Sequence, residues 1–440
     1  MKTPFSLIAG LAWGTCLLVH WVLVVPGFLS AADWPRFRGP NGAAVSDDRE
    51  TPVKWSPTEN IVWRTQLPGP GTSSPITTGG KIFLTSYTGF GVDANNPGDL
   101  NKLERVLVCL DEMSGKLLWQ KEVKGVANED RFGGYLTSHG YASSTPATDG
   151  ERVYVLFGKA GVVAFDLEGQ ELWRKSVGTG SAIMGWGSAA SPIVSKNLVI
   201  VNAAAESTAI YAFDGKTGKE VWKSPADSLS GCWGTPLLVD VPGGKTELAL
   251  AVPGEIWGFD PDNGKFLWFC ESIPTQAICT SLVARGGIVY EVVGGPSGGG
   301  AAAVRAGGRD DVTKTHKLWS NTKNKSYITS PVLVGDYLYW VNDDGFADCI
   351  SSKTGAQVYH QRLPEAGRQY AYASVMAAGD KIYAVTRDKG TFVLAAKPEF
   401  EQLAQNQLDA DAGICNAGPA VSHGRLLLRS DNYLYCIGVK

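Results

Sequence analysis

The sequence predicts an all-β protein, an eight-bladed β-propeller of four-stranded antiparallel blades. Its ring is closed by an N-terminal strand that completes the last blade. Three observations predict this. A segment with an aspartate, a short polar turn, a glycine and a tryptophan recurs along the chain, and its tryptophans stand roughly 50 residues apart, the size of one blade. Each recurrence holds three or four short apolar runs separated by turn residues. The 440 residues include 53 glycines and 14 tryptophans, so reversals and large aromatic anchors are both frequent.

The recurring segment is fullest in "AFDGKTGKEVW", Ala212 to Trp222. It returns in "CLDEMSGKLLW" at Trp119, "AFDLEGQELW" at Trp173 and "GFDPDNGKFLW" at Trp268, and more weakly in "ISSKTGAQVY" at Tyr359. Trp63 and Trp319 end the related strands "NIVW" and "HKLW". The turn has a mechanism. Asp214 or Asp260 can accept backbone N–H bonds from the residues just after it, and Gly218 or Gly264 can take the positive φ that reverses the chain. A tryptophan buries roughly 150–250 Å², enough to lock one blade to the next. Trp63, Trp119, Trp173, Trp222, Trp268 and Trp319 are therefore read as docking residues. An aspartate repeated at one position is read as structural, not catalytic.

Within each unit a Ser, Thr or Gly before proline opens the first strand. The steps are Ser74-Pro75, Thr145-Pro146, Ser191-Pro192, Thr235-Pro236, Ser330-Pro331 and Gly418-Pro419. An apolar second strand follows, such as "RVYVLF", and then a third that leads into the Asp…Gly turn. In unit seven, propensity favours a helix over "PEFEQLAQNQL", while the repeat predicts a fourth strand, and the strand is expected. Unit eight, "GPAVSHGRLLLRSDNYLYCIGVK", has three strands. The orphan strand Asn60–Leu67 supplies its fourth, which leaves no open sheet edge at the junction.

The N-terminus reads as a targeting segment over 1–32. Lys2 precedes an apolar run from Phe5 to Val25, Pro26-Gly27 breaks it, and Ser30-Ala31-Ala32 provides small residues for cleavage after Ala32. The rival reading is an uncleaved membrane anchor. Cys16, preceded by Trp13-Gly14-Thr15, matches a lipoprotein box poorly. The expected division is a leader at 1–32, a clasp at 33–59 and the propeller at 60–440, in a periplasmic or secreted monomer. The clasp contains "DWPRFRGPNG", whose Trp34 and Phe37 can plug apolar surface. Arg36 and Arg38 can reach carboxylates or carbonyls of the first or last blade. The competing reading of that stretch is a ligand arm.

With 40 basic and 43 acidic residues and a net charge of −3, nothing provides a phosphate-neutralising surface, so nucleic acid is excluded as a partner. Seven cysteines follow the leader, an odd number. They are expected to be mostly buried thiols, with Cys270 and Cys279 the one pair close enough in sequence to consider for a disulfide.

The pattern at Ala212–Trp222 resembles the tryptophan-docking motif of quinoprotein (PQQ) propellers. The opening "DWPRFRGPNG…NIVWR…GTSSP" and the closing "RSDNYLYCIG" resemble exported PQQ-like repeat proteins. The resemblance spans nearly all of 33–440 and implies the fold. It implies two different functions, because the same repeat serves PQQ-dependent dehydrogenases and the non-enzymatic BamB-type assembly factor. The dehydrogenases carry adjacent disulfide-linked cysteines over the cofactor, and no Cys-Cys pair occurs here. Their calcium ligands and aspartate base match no motif in this chain. Neither does the BamB-type lipobox.

Other chemistry is sparse. "GPSGG" around Ser297 has the spacing of a nucleophile elbow but sits among glycines between two strands. "DADAG" and "NDDG" lack the full ligand spacing of a calcium loop. His139, His316, His360 and His423 are scattered, so no metal site is expected. Aligning the units on the Ser/Thr–Pro step is more informative, because the loops before it border one mouth of the channel. His139, Tyr141, Trp186, Trp233, Tyr327, Arg368, Tyr370, Tyr372, Cys415 and Asn416 fall there. The long loops Ser86–Arg105 and Val123–Ser138 are expected on the same face, with Asp130, Arg131 and Tyr135 as polar candidates. Such a rim can bind a flat cofactor, a sugar or a peptide. Equally, its rings can pack against neighbouring loops.

The first functional reading is an exported, non-enzymatic envelope propeller that binds proteins or other ligands and uses no cofactor. The alternatives are an oxidoreductase using PQQ with calcium on alcohols or sugars, and a glycan-binding propeller. Envelope proteins and glycans are the expected partners, with a membrane partner only if the leader is uncleaved.

Overall fold

A computed structural model describes residues 33–296 and 298–439 together with Met1. The expected leader, with Cys16 and the cleavage point after Ala32, lies outside the described residues, as does Ser297.

The described chain forms eight antiparallel sheets in sequence order. Blade one comprises β1 (Ile76–Thr78), β2 (Lys81–Thr88), β3 (Glu104–Asp111) and β4 (Leu117–Lys124). Blades two to seven repeat this plan. Blade eight is closed as expected, because Ile61–Gln66 pairs antiparallel with Tyr433–Ile437, outside Arg425–Arg429 and Ala420–Ser422. The fourth strand of blade seven, Gln402–Asn406, also forms as the repeat requires. The helix propensity of that segment yields to the pairing edge offered by Thr391–Ala395.

Second and third strands are buried on both faces because each blade is stacked between two others. β2 and β3 are each buried along their length except at the ends. Tyr154 and Leu156 of blade two pack with Val199, Val201 and Tyr211 of blade three, so the core lies between blades. Fourth strands face solvent apart from their tryptophan, as in Glu220–Pro225, where Trp222 is buried.

A β-bulge explains how the tryptophan leaves its own sheet. In all eight blades the register slips at the residue just before the tryptophan position, for example at Val221, between the pairs Phe213–Glu220 and Ala212–Trp222. A bulge bends the strand and re-aims the next side chain. Trp119, Trp173, Trp222 and Trp319 thereby donate their indole N–H to a carbonyl of the following blade, those of Leu167, Gly215, Pro261 and Ser352, at 2.9–3.2 Å. Asp214 accepts from Thr217 N–H at 2.8 Å, as the Asx turn requires. Gly218 has φ 67°, and a Cβ there would lie 2.6 Å from Cδ2 of Trp173. Trp268 departs from the pattern and donates to Glu247 at 2.7 Å, while Asp310–Asp311 of blade five adds a parallel strand to the edge of blade four.

The segment 33–59 is more than a clasp between first and last blades. It runs across the inner strands of several blades. Trp34 exchanges bonds with Thr77 of blade one, and Thr148 of blade two donates to the Pro35 carbonyl at 2.9 Å. Arg38 donates to the carbonyls of Ser330 and Pro331 at blade six, correcting the expectation of a first- or last-blade partner. Val45–Ser46 then pairs in parallel with Met376–Ala378, the innermost strand of blade seven. Burial holds Arg38 at about 9 and Arg36 at about 10, below the usual guanidinium range.

A second lock closes the ring. Arg429 of blade eight is fully buried and donates to Ser73 Oγ at 2.7 Å, the Ser73 carbonyl at 3.1 Å, the Thr85 carbonyl at 2.5 Å and Ser86 Oγ at 3.1 Å. Desolvation lowers its pKa to about 10.

Candidate functional site

The residues before the first strands form a belt around one channel mouth. Ser74 N–H donates to Thr145 Oγ1 at 2.9 Å, Thr145 N–H to Ser191 Oγ at 3.0 Å, and Ser191 N–H to Thr235 Oγ1 at 3.1 Å. Thr235, Ser281 and Ser330 continue it through Ser281, Ser330 and Ser374 at 3.0, 2.9 and 3.0 Å. Each hydroxyl thus satisfies a backbone donor of the preceding blade. Gly418 holds the eighth position and offers no hydroxyl. Ser281 and Ser374 carry no following proline, so the Ser/Thr–Pro pattern in the sequence passed over blades five and seven.

Above this belt lies an open-topped cavity of about 160 Å³ to which all eight blades contribute. Its floor includes Phe37 from the N-terminal segment. Of the residues expected at the mouth, the structure brings together His139, Trp186, Trp233, Tyr327, Tyr372 and Asn416, with Tyr135 from the long loop. Trp186 lies 4.9 Å from Trp233 between ring centroids with planes at 31°, and 4.8 Å from Tyr135 at 66°. Tyr327 stands edge-on to both Tyr135 and Trp186, at 6.2 and 6.3 Å. Trp233 is fixed by its indole N–H, which donates to the Gly187 carbonyl at 2.8 Å.

Four of the residues expected at the mouth, Tyr141, Tyr370, Arg368 and Cys415, are elsewhere. Tyr141 is buried under the long loops among Tyr87, Phe90 and Phe132, with its hydroxyl donating to the Asp130 carbonyl at 2.6 Å. Tyr370 packs on Phe392 and donates to the Pro364 carbonyl at 2.6 Å. Each stands two residues from a cavity-lining neighbour, His139 or Tyr372, in backbone that is not strand, so the two-residue alternation of a strand does not set its direction. Arg368 is exposed and lines an adjoining vestibule of about 610 Å³, which shares Tyr135 and Tyr327 with the cup and holds Asp343, Asp344 and Lys325. Asp130 pairs with Lys159 at 2.8 Å and sits outside the cup, and Arg131 is exposed.

Phe37, Cys279 and Ser143 line the cup without a sequence signal that pointed there. Cys270 and Cys279 are both free thiols, Cys270 buried and Cys279 half-buried, and burial pushes the Cys279 thiol up to about 12. Cys415 is a half-buried free thiol outside the cavity lining.

The cup is electrically neutral. Its lining contains no Asp, Glu, Lys or Arg among the described residues. Burial lowers the His139 pKa to about 4, partly opposed by hydrogen bonds with the backbone of Trp186 and Gly140, so its imidazole is uncharged at neutral pH. Its Nδ1 lies 2.6 Å from Ser143 Oγ. Two polar atoms at the cavity are buried without a partner, the Tyr372 hydroxyl and Asn416 Oδ1. Arg387 stacks over the Tyr372 ring at 4.4 Å, and Asn416 is held by its Nδ2–H, which donates to the Ser138 carbonyl at 2.7 Å.

A family model described as outer membrane protein assembly factor BamB matches residues 102–361. The chain belongs to that family. Among solved structures, BamB from Moraxella catarrhalis matches with a TM-score of 0.61 at 15% identity, covering 86% of this chain and 97% of its own. Quinohemoprotein alcohol dehydrogenase from Comamonas testosteroni matches with 0.58 at 12% identity, covering 93% and 82%. The computationally designed Ika8 protein matches with 0.53 at 14%, covering 85% and 98%. These likenesses establish the fold alone. No curated protein sequence matches the chain.

Proposed function

We propose that this protein is an exported, non-enzymatic propeller of the cell envelope, periplasmic or secreted, which acts as a binding scaffold through the cup at its channel mouth. The observation that carries the reading is the cup itself. Aromatic and hydroxyl side chains from different blades converge on one neutral cavity, and two of its polar atoms have no partner. Membership in the BamB family and the leader-like N-terminus support an envelope role.

The oxidoreductase reading meets a chemical objection in the same cavity. Pyrroloquinoline quinone carries three carboxylates, and no cation among the described residues lines the cup, Arg387 lying behind the Tyr372 ring. Cys279 is the one cysteine among the described lining residues, with no neighbour in sequence to pair with. No group of three or more His, Cys, Asp or Glu among the described residues is arranged to hold calcium. The residues of the cup do not fit the cofactor.

Equilibrium dialysis with PQQ and calcium, followed by dye reduction with alcohols and sugars, tests the choice. The scaffold reading predicts no stoichiometric cofactor and no dye reduced. One bound PQQ per chain with turnover would replace it by the oxidoreductase. In a pull-down from the native envelope, Trp186→Ala should lose whatever the protein retains.

A further inference from the structure

We infer that the cup takes the terminal residue of a neutral oligosaccharide, and that the following residues cross Tyr135 and Tyr327 into the vestibule between blades five and seven. This rests on the reading of the cup as a binding site and adds the ligand class.

Three features point to a sugar. Tyr135 and Tyr327 pack edge-on against Trp186, at 66° and 76°, so the three rings form one stepped apolar wall that suits a three-dimensional apolar body laid against it better than a flat one. A pyranose offers such a body through its C–H faces and carries hydroxyls around its edge. The Tyr372 hydroxyl and Asn416 Oδ1 are each nine-tenths buried and unpartnered. The first can donate or accept and the second only accepts, and a sugar hydroxyl can serve both. Leaving such atoms unpaired is costly, and a ligand hydroxyl would recover that cost.

The neutral lining selects among rivals. A peptide terminus would bring an ammonium or a carboxylate, and an acidic sugar a carboxylate, into a cavity with no counter-charge. Phe37 lines the cup from the N-terminal segment, which Trp34 ties to blade one at Thr77. The vestibule shares Tyr135 and Tyr327 with the cup and continues from it. Its Arg368, Lys325, Asp343 and Asp344 supply polar contacts for the next residues.

Isothermal titration calorimetry against cellohexaose, laminarihexaose, maltohexaose and chitohexaose tests the inference, with oligogalacturonate as the acidic control and Nile red as an apolar probe. At least one neutral hexaose should bind one to one and oligogalacturonate should not. Tyr372→Phe, which removes only the hydroxyl, should weaken that binding about tenfold, equivalent to about 1.4 kcal/mol. Trp186→Ala should abolish it without lowering the melting temperature by more than a few degrees. If no neutral hexaose binds while Nile red enters the cup in a Trp186-dependent way, the saccharide inference falls and the binding-site reading stands. If neither binds, both fall. Binding unaffected by Tyr372→Phe and Trp186→Ala would also overturn the inference, because the sugar would then sit elsewhere.

Discussion

Trp186 of blade three and Trp233 of blade four lie 4.9 Å apart between ring centroids, with their planes at 31°. They stand in corresponding loops of successive units, five residues before Ser191 and two before Thr235 of the hydroxyl belt, whose hydrogen bond fixes the spacing of the two blades. A repeat that is structural at its outer edge thus presents aromatic rings side by side at its inner one.

The N-terminal segment is both plug and floor. Trp34→Ala removes a buried indole from the inner strands and should destabilise the fold by about 3–5 kcal/mol. Deleting Asp33–Gly42 should lower the melting temperature and also alter ligand binding, because Phe37 lines the cup. Thermal denaturation and titration of the same samples check both. An unchanged melting temperature would show that the segment does not hold the ring.

Closure depends on Arg429 more than on the exposed charges nearby. Arg429→Met should cost about 2–5 kcal/mol, since it leaves the carbonyls of Ser73 and Thr85 buried and unpaired by that cation. Arg64, whose ion pair with Asp409 at 2.6 Å is open to solvent, should tolerate alanine with little change. Denaturant titration of the two variants gives the comparison.

The docking turn should resist a methyl group more than the loss of a hydrogen bond. Gly218→Ala combines an unfavourable positive φ with a clash against Trp173, and about 2 kcal/mol or more is expected. Trp173→Phe loses the bond to the Gly215 carbonyl, worth about 1 kcal/mol, and part of the ring's packing area. Equilibrium unfolding of both variants ranks them.

His139 sets an acid limit. Its folded pKa of about 4 lies below the ordinary value of 6.5, so the unfolded chain takes up the proton first. The stability contributed by the neutral imidazole is complete above about pH 6.5 and is lost as the pH falls towards 4. Buried Glu291, raised to about 7, acts in the opposite sense, because its protonated form favours the folded state as the pH falls from 7 towards its ordinary value. The difference in stability between the protein and His139→Gln, measured from pH 7 to 4, isolates the histidine and should shrink as the pH falls. Ligand affinity should stay flat from pH 8 to about 5.5, where the cup remains uncharged.

The architecture was legible because each of its parts recurs. The Asp…Gly…Trp segment marks the outer edge, Ser/Thr–Pro marks the inner one, and the three-strand remainder at the C-terminus calls for Ile61–Gln66. A full copy does not guarantee the docking contact, since Trp268 ends one and still departs. The turn of blade five, with its extra Asp310–Asp311 strand, and Trp268 turned to Glu247 had no counterpart in the pattern. The mouth was legible to the level of unit and loop, not of side-chain direction. Tyr372 and Tyr370 are two residues apart, and only one faces the cavity. Phe37 joins it through contacts that bring residues 34–38 against blades one, two and six, a relation no local spacing encodes.

The most direct test of the cup as the binding site is fluorine NMR of protein labelled with 5-fluorotryptophan, titrated with the neutral hexaoses, with resonances assigned by single Trp→Phe variants. The account predicts that the Trp186 and Trp233 signals shift together and saturate, while Trp119, Trp173, Trp222 and Trp319 at the blade edges stay fixed. Stationary Trp186 and Trp233 signals, or shifts confined to the docking tryptophans, would contradict it.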